Sequence, residues 1–269
     1  MEQLLRGQVA MVTGANRGIG RQIAFDLAAA GATVVQGARN LSSLAENTEK
    51  IEAGGGKCDG VRLDVTDQQS VQAAVDHTIE HYGRIDLLVN NAGIGNGAGH
   101  PWDLPIDDWW EVMEVNVKGV YLCTQAVMEH MTRQQSGRII DVGSLAGTYP
   151  NPRGSSYSVS KAALFQWNAC LAEGAKAFGV SVFVISPGLV ATDMTDHPQF
   201  ADVPDEDWVP IEKSGALVVA LASGKADGLS GRFIHALDDL DDLIANVDEI
   251  EKEGYQRLGL RMFNSTLFG

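Results

Sequence analysis

The chain has 269 residues, 45% hydrophobic and 20% charged, with 35 acidic side chains against 20 basic ones and a formal net charge of −15. That length suits one large domain or two small ones with a sizeable core, and that charge argues against nucleic acid and against docking on an anionic membrane surface. Cys58, Cys123 and Cys170 are scattered, with no paired spacing and no metal-like cluster around them, so they read as reduced packing residues. The N-terminal stretch lacks a cleavable apolar segment, and no run approaches the roughly 18 apolar residues of a membrane span. The expected location is the cytoplasm.

The first strand is expected at Gln8–Thr13, and it runs straight into "TGANRGIG". Gly14, Gly18 and Gly20 there allow a tight turn and a close backbone approach to a pyrophosphate. The helix that follows, about 18–30, adds free N–H groups and the positive end of its dipole. Arg17 and Ile19 lie in the same turn. The second strand, Thr33–Ala38, ends where a dinucleotide site for NAD usually carries an acid. Here Ala38 stands at that place with Arg39 after it, and no acid occurs before Glu46. A guanidinium fork matches the oxygens of a 2′-phosphate, so NADP(H) is favoured over NAD(H), with Arg17 as a second cation.

Further along, helices are expected at about 41–53, 67–82, 107–135, 155–178 and 211–223. They alternate with strands at Gly60–Leu63, Ile85–Asn90, Arg138–Gly143, Val180–Ser186 and Gly231–His235. Near-continuous apolar runs such as "VSVFVIS" suit strands covered on both faces. The alternation predicts an α/β, doubly wound Rossmann-type fold: a seven-stranded parallel sheet with helices on both faces. No composition break divides the series, so 1–269 reads as a single NAD(P)-binding domain with an integrated catalytic site. Residues 191–210, with six acids, three prolines and no Lys or Arg, read as a surface lid. Residues 236–269 read as an acidic C-terminal extension, with eight acids against one lysine over 236–253 arranged as one amphipathic helix.

Several motifs stand in a fixed order: "TGANRGIG", "LDVTD" with Asp64, "NNAG" at 90–93, "NVKG" with Asn116, "GS" ending at Ser144, Tyr157 with Lys161, and "SPGLVATDM". Ser144 precedes Tyr157 by 13 residues. On these residues the chain resembles the classical short-chain dehydrogenase/reductase family from the glycine turn to about residue 235. The resemblance implies an oxidoreductase that interconverts a secondary alcohol and a ketone or aldehyde. By that likeness Tyr157 is the acid/base, and Lys161 holds the nicotinamide ribose. Ser144 hydrogen-bonds the substrate oxygen, and Asn116 holds a water through which Lys161 exchanges protons. Chemistry agrees: positions i and i+4 share a helix face, and a lysine cation brings a tyrosine, with its free pKa near 10, towards its working pH.

The likeness also implies that Val65 and Asp64 flank the adenine, although Asp64 serves equally well as a turn acid in "DVTD". Asn91, Ala92 and Gly93 would lie along the ribose and phosphates. Pro187, Gly188, Val190 and Thr192 would meet the nicotinamide end, Thr192 bonding its amide or a phosphate. Loops at 93–105, 145–154 and after Thr192 would choose the substrate. There Trp102, Tyr149, Met194, Phe200 and Trp208 offer an apolar lining, and His100 and His197 are further candidates for contact. A neutral, partly apolar small molecule is expected. So is a homotetramer, or a homodimer if the unusual tail removes one contact, with 107–135 and 155–178 as interface helices. A non-catalytic dinucleotide sensor is the alternative, disfavoured because Tyr157, Lys161, Ser144 and Asn116 are all kept.

Overall fold

In the computed structural model, which describes residues 3–95 and 99–259, the apolar runs pair side by side because the central ones are buried on both faces. The strands are β1 (Val9–Thr13), β2 (Thr33–Ala38), β3 (Lys57–Arg62), β4 (Leu87–Asn90), β5 (Gly137–Val142), β6 (Val180–Ser186) and β7 (Phe233–His235). All pair in parallel in the order β3-β2-β1-β4-β5-β6-β7. The strand order reverses between β1 and β4, so a crevice opens at their C-terminal ends, where open α/β sheets hold ligands.

The helices are α1 (Gly18–Ala29), α2 (Ala45–Ala53), α3 (Gln68–Tyr82), α4 (Ile106–Met113), α5 (Gly119–Gln134), α6 (Ser155–Ala175), α7 (Ile211–Ala222), α8 (Leu240–Ala245) and α9 (Val247–Glu253). Ile23 and Leu27 of α1 share one core layer with Leu217, Val218 and Leu221 of α7. On the other face Val71 and Val75 of α3 pack with Val127 and Met131 of α5 and Ala172 of α6. Each of the larger side chains, fully removed from water, contributes about 1.5–3 kcal/mol before chain entropy is counted.

The main departures from expectation are these, while β4 and β7 each begin two residues late. Strand β3 begins three residues earlier than its apolar run, because its first half is partly exposed at the sheet edge and keeps polar residues. The helix expected over 107–135 is α4 and α5 joined by a π turn at Glu114–Lys118. The tail forms two short helices, since Asn246 turns its side chain back onto Asp242 and breaks the run. Segment 191–210 holds a turn at Thr192–Asp196 and two further single helical turns, and is tied back by Val209 N–H donating to Leu189 O at 2.8 Å.

Beyond α9 the chain returns to the open edge of the sheet, where Phe233 N–H donates to Gln256 O at 2.8 Å. The buried Arg232 donates to Tyr255 O and pairs with Glu251. Part of the 93–105 loop, 96–98, and the end of the extension, 260–269, lie outside the described residues. Among the described residues no helix is long and apolar enough to cross a membrane, and no cluster of His, Cys, Asp and Glu is arranged to hold a metal.

Candidate active site

At the crevice the glycine turn is shaped by its backbone. Gly14 and Gly18 take φ of 64° and 53°, a region that side chains disfavour. A Cβ on Gly20 would fall 2.3 Å from Asn91 Nδ2 and 2.4 Å from Gly14 O. Two residues that sequence reasoning missed hold this turn. Thr13 Oγ1 accepts from the N–H groups of Asn91 and Ala92, each at 3.0 Å, tying β1 to the loop after β4. The buried Asn47 donates to Ala15 O at 3.0 Å and Asn16 O at 3.3 Å. The only signal for Thr13 is its place as the last strand residue before the turn.

The turn opens a cleft of about 900 Å³, at the upper end of the range for cofactor sites, roughly 300–1,000 Å³. Gly14, Arg17, Gly18, Ile19 and Gly20 line one wall; Arg39, Asp64 and Val65 line the far end. Asn91, Ala92 and Gly93 follow along the floor, and Tyr157, Lys161, Pro187 and Thr192 close the other end. Ser144, Asn116, Gly188 and Val190 are not in the lining. A Cβ on Gly188 would meet Val209 at 2.4 Å, and Val190 is buried behind the wall.

Charge is distributed unevenly along this cleft. Arg17 pairs with Asp193 across its mouth, both exposed. Arg39 is exposed and in no ion pair among the described residues. Asp64 accepts from Thr66 N–H at 3.0 Å and Thr66 Oγ at 2.8 Å. Burial works to raise its pKa, but the two Thr66 bonds, Arg39 and Arg62 together hold it below the ordinary value. Asp64 is therefore a turn acid that also lines the cleft. A smooth backbone cradle, a helix N-terminus and a free guanidinium fit a phosphorylated dinucleotide.

At the other end, β5 ends at Val142 and Ser144 follows; α6 presents Tyr157 and Lys161 on one face. Ser144 Oγ accepts from Ala146 N–H at 3.1 Å, and its hydroxyl acts on Tyr157 to lower the phenol's pKa. Lys161 is buried, its Nζ donating to Val142 O at 2.7 Å and lying 5.5 Å from the Tyr157 ring centre. Burial lowers the Lys161 pKa to about 8, against the opposing field of Asp141. Burial also raises the Tyr157 phenol above 10; Ser144 lowers it less, and Tyr149 adds to the rise. In the structure burial is the largest influence on Tyr157, ahead of Ser144 and Tyr149, and its phenol lies above the ordinary value rather than below it.

Asn116 sits inside the π turn, a device common at functional sites, and is 1% exposed. Its Oδ1 accepts from Ile94 N–H and its Nδ2 donates to Ile94 O, both at 2.9 Å, with a further bond to Ser160 Oγ at 3.0 Å. The side chain is thus spent on holding the loop that carries Gly93, whose would-be Cβ lies 3.7 Å from Lys161 Nζ.

The expected aromatic lining is not assembled. Of Trp102, Tyr149, Met194, Phe200 and Trp208, only Met194 lines the cleft. Trp102 is 78% exposed and stacks on His100; Phe200 and Trp208 pack edge to face on each other. His197 does line the cleft, its ring accepting from Gln199 N–H at 3.3 Å.

A family model described as short chain dehydrogenase matches residues 8–200. The chain is 40% identical over 194 residues to the 3-oxoacyl-acyl-carrier-protein reductase of Synechocystis sp., a match covering 72% of this chain and 78% of that one. It is 35% identical over 236 residues to the enzyme of the same name from Salmonella typhimurium, covering 85% and 95%. Among solved structures, a gluconate 5-dehydrogenase from Burkholderia cenocepacia in complex with NADP and tartrate superposes with a TM-score of 0.81 at 30% identity, covering 87% and 95%.

Proposed function

The chain belongs to the short-chain dehydrogenase/reductase family, and from that premise we propose that it is an NADP(H)-dependent oxidoreductase interconverting a ketone or aldehyde and its alcohol. The observation that carries this is Tyr157 with Lys161 beside it, Nζ 5.5 Å from the ring centre, in the same cleft as the glycine turn and with Ser144 next to Tyr157. When bound, the nicotinamide cofactor supplies the hydride in reduction and accepts it in oxidation. The side chains do the rest. Ser144 and Tyr157 hydrogen-bond the carbonyl oxygen and polarise it. As negative charge grows there, Tyr157 gives up its proton and the oxygen becomes a hydroxyl; in oxidation the same proton returns. The Lys161 cation favours the transient phenolate and binds cofactor hydroxyls. Asn116 keeps the Gly93 loop against Lys161.

Arg39 takes the 2′-phosphate, because Arg17 is already held by Asp193; the gluconate 5-dehydrogenase solved with NADP supports that preference. Arg17 and Thr192 then act as neighbours of the phosphates. Segment 191–210 serves as a lid, with Asp193 on Arg17 as its latch. A small carbonyl compound, neutral and partly apolar, suits a catalytic end lined by Ile94, Gly95 and Met194. Self-assembly would use the outer faces of α4–α5 and α6, where Trp110 and Tyr121 are exposed. The tail seated on the β7 edge favours a dimer over a tetramer.

The test is a titration of purified protein with NADPH and NADH, followed by a carbonyl panel that includes a 3-oxoacyl thioester and a keto-gluconate. Tighter NADPH binding with turnover is expected. Binding without turnover on any carbonyl would support a dinucleotide sensor instead, and preference for NADH would remove Arg39 from its role.

A further inference from the structure

Strand β5 reads "GRIIDV", and a strand buried on both faces has little use for an acid. Asp141 is nevertheless 0% exposed. A carboxylate there is costly unless donors and an opposite charge meet it. Asn90, its register partner on β4, donates to Oδ1 at 2.8 Å. Asn168 on α6 donates to Oδ2 at 3.4 Å. Lys161 lies on the same face of α6, two turns before Asn168, and bonds the carbonyl of the residue next to Asp141. From α5 come Thr124, which accepts from Asn90 at 3.2 Å, and Cys123, whose thiol is pushed up to about 12 by burial and by Asp141 and so stays neutral. From β6 comes the apolar Val184. Among these neighbours Lys161 is the one of opposite charge, and it acts on Asp141 through its field rather than as an ion pair, its Nζ donating to Val142 O instead.

The network is also poorly suited to stability alone. Asn90 Oδ1 and Asn168 Oδ1 are buried without a partner, and a half-satisfied buried network is less stable than an apolar filling. We propose that Asp141 is a positioning residue of this site: buried on the strand whose next carbonyl, Val142 O, holds Lys161, its carboxylate keeps the lysine charged, and so sets the pH range over which Lys161 supports Tyr157. The proposal rests on the catalytic reading of Lys161 given above. Burial holds Asp141 up at about 6, with Asn90, Asn168 and Lys161 pulling it down. Lys161 is held at about 8. Both groups are charged between these two values; below the first the acid is neutral, above the second the lysine is.

The experiment follows the lysine side-chain signals of isotope-labelled protein by NMR across pH, with Lys161 assigned by its loss in Lys161→Arg. Beside it, kcat/KM is measured over the same range. In Asp141→Asn the Lys161 midpoint should fall by about one pH unit or more, and the limb of the rate profile that reports Lys161 should move down with it. Asp141→Glu should return both towards the starting protein. Asp141→Thr, which can still accept from Asn90, repeats the test if the Asn variant does not fold. A Lys161 midpoint that stays in place overturns the proposal and leaves the role of Lys161 standing. A moved midpoint with an unmoved rate profile overturns it through the reading beneath it. A purely structural role would lower stability and kcat and shift neither.

Discussion

The two ends of the cleft are built by different physics. At the β1–α1 end, recognition belongs to the backbone: positive φ at Gly14 and Gly18, a Gly20 with no room for a Cβ, and Thr13 and Asn47 bracing the turn from behind. At the β5–α6 end, recognition belongs to titratable side chains taken out of water, where burial shifts Tyr157, Lys161 and Asp141 all towards their neutral forms. The first end needs space and fixed dihedrals; the second needs charges balanced in a low dielectric. Damage at one end should therefore be read in affinity, and damage at the other in rate.

Lys161→Ala should breach that division most, because Lys161 serves both ends. Turnover should fall on the order of 10²–10⁴-fold, and NADPH affinity should weaken with it; steady-state kinetics with a parallel fluorescence titration checks both. Gly20→Ala should act at the first end alone. Its Cβ would meet backbone at 2.4 Å, so a loss of about 1–3 kcal/mol in stability is expected, with weaker NADPH binding and a nearly unchanged kcat at saturation. Arg39→Asp should be milder still: a charge-assisted bond is worth about 1.5–3 kcal/mol, so NADPH preference should drop roughly 10- to 100-fold towards NADH. An unchanged preference places the 2′-phosphate elsewhere.

The smallest effect is on stability. The Asp141 carboxyl is raised from 3.8 to about 6 in the fold, so the native state holds a proton that the unfolded chain has lost. Stability should decline as pH rises from about 4 to about 6 and level off above. Asp141→Asn lacks that decline, so its Tm relative to the starting protein should rise by a few degrees across the same window. A constant Tm difference would mean that Asp141 is ionised throughout.

The same contrast explains what was legible in the sequence. The glycine turn could be read because only glycine tolerates those dihedrals, and Tyr157 with Lys161 because helical spacing places them together. Seven parallel strands followed from apolar runs, yet β3 extended beyond its run because an edge strand tolerates polar residues. The π turn at Asn116 left no trace, since apolar periodicity does not separate one extra residue per turn from a regular helix. Thr13, Asn47 and Asp141 were missed because each acts through partners far away in the chain, and a single polar residue in an apolar strand looks the same whether it faces water or lies in the field of a buried lysine. The aromatic pocket failed for the opposite reason: composition put aromatic residues near the site, but Trp102 and Trp208 found other partners.

The most direct measurement is Tyr157→Phe, titrated with NADPH and assayed on the best carbonyl of the panel. The variant loses one hydroxyl at the side-chain end and touches nothing at the backbone end. NADPH affinity within a factor of about two of the starting protein, with turnover lost on the order of 10³-fold or more, is the predicted result. Normal turnover would remove Tyr157 from the chemistry and contradict the account.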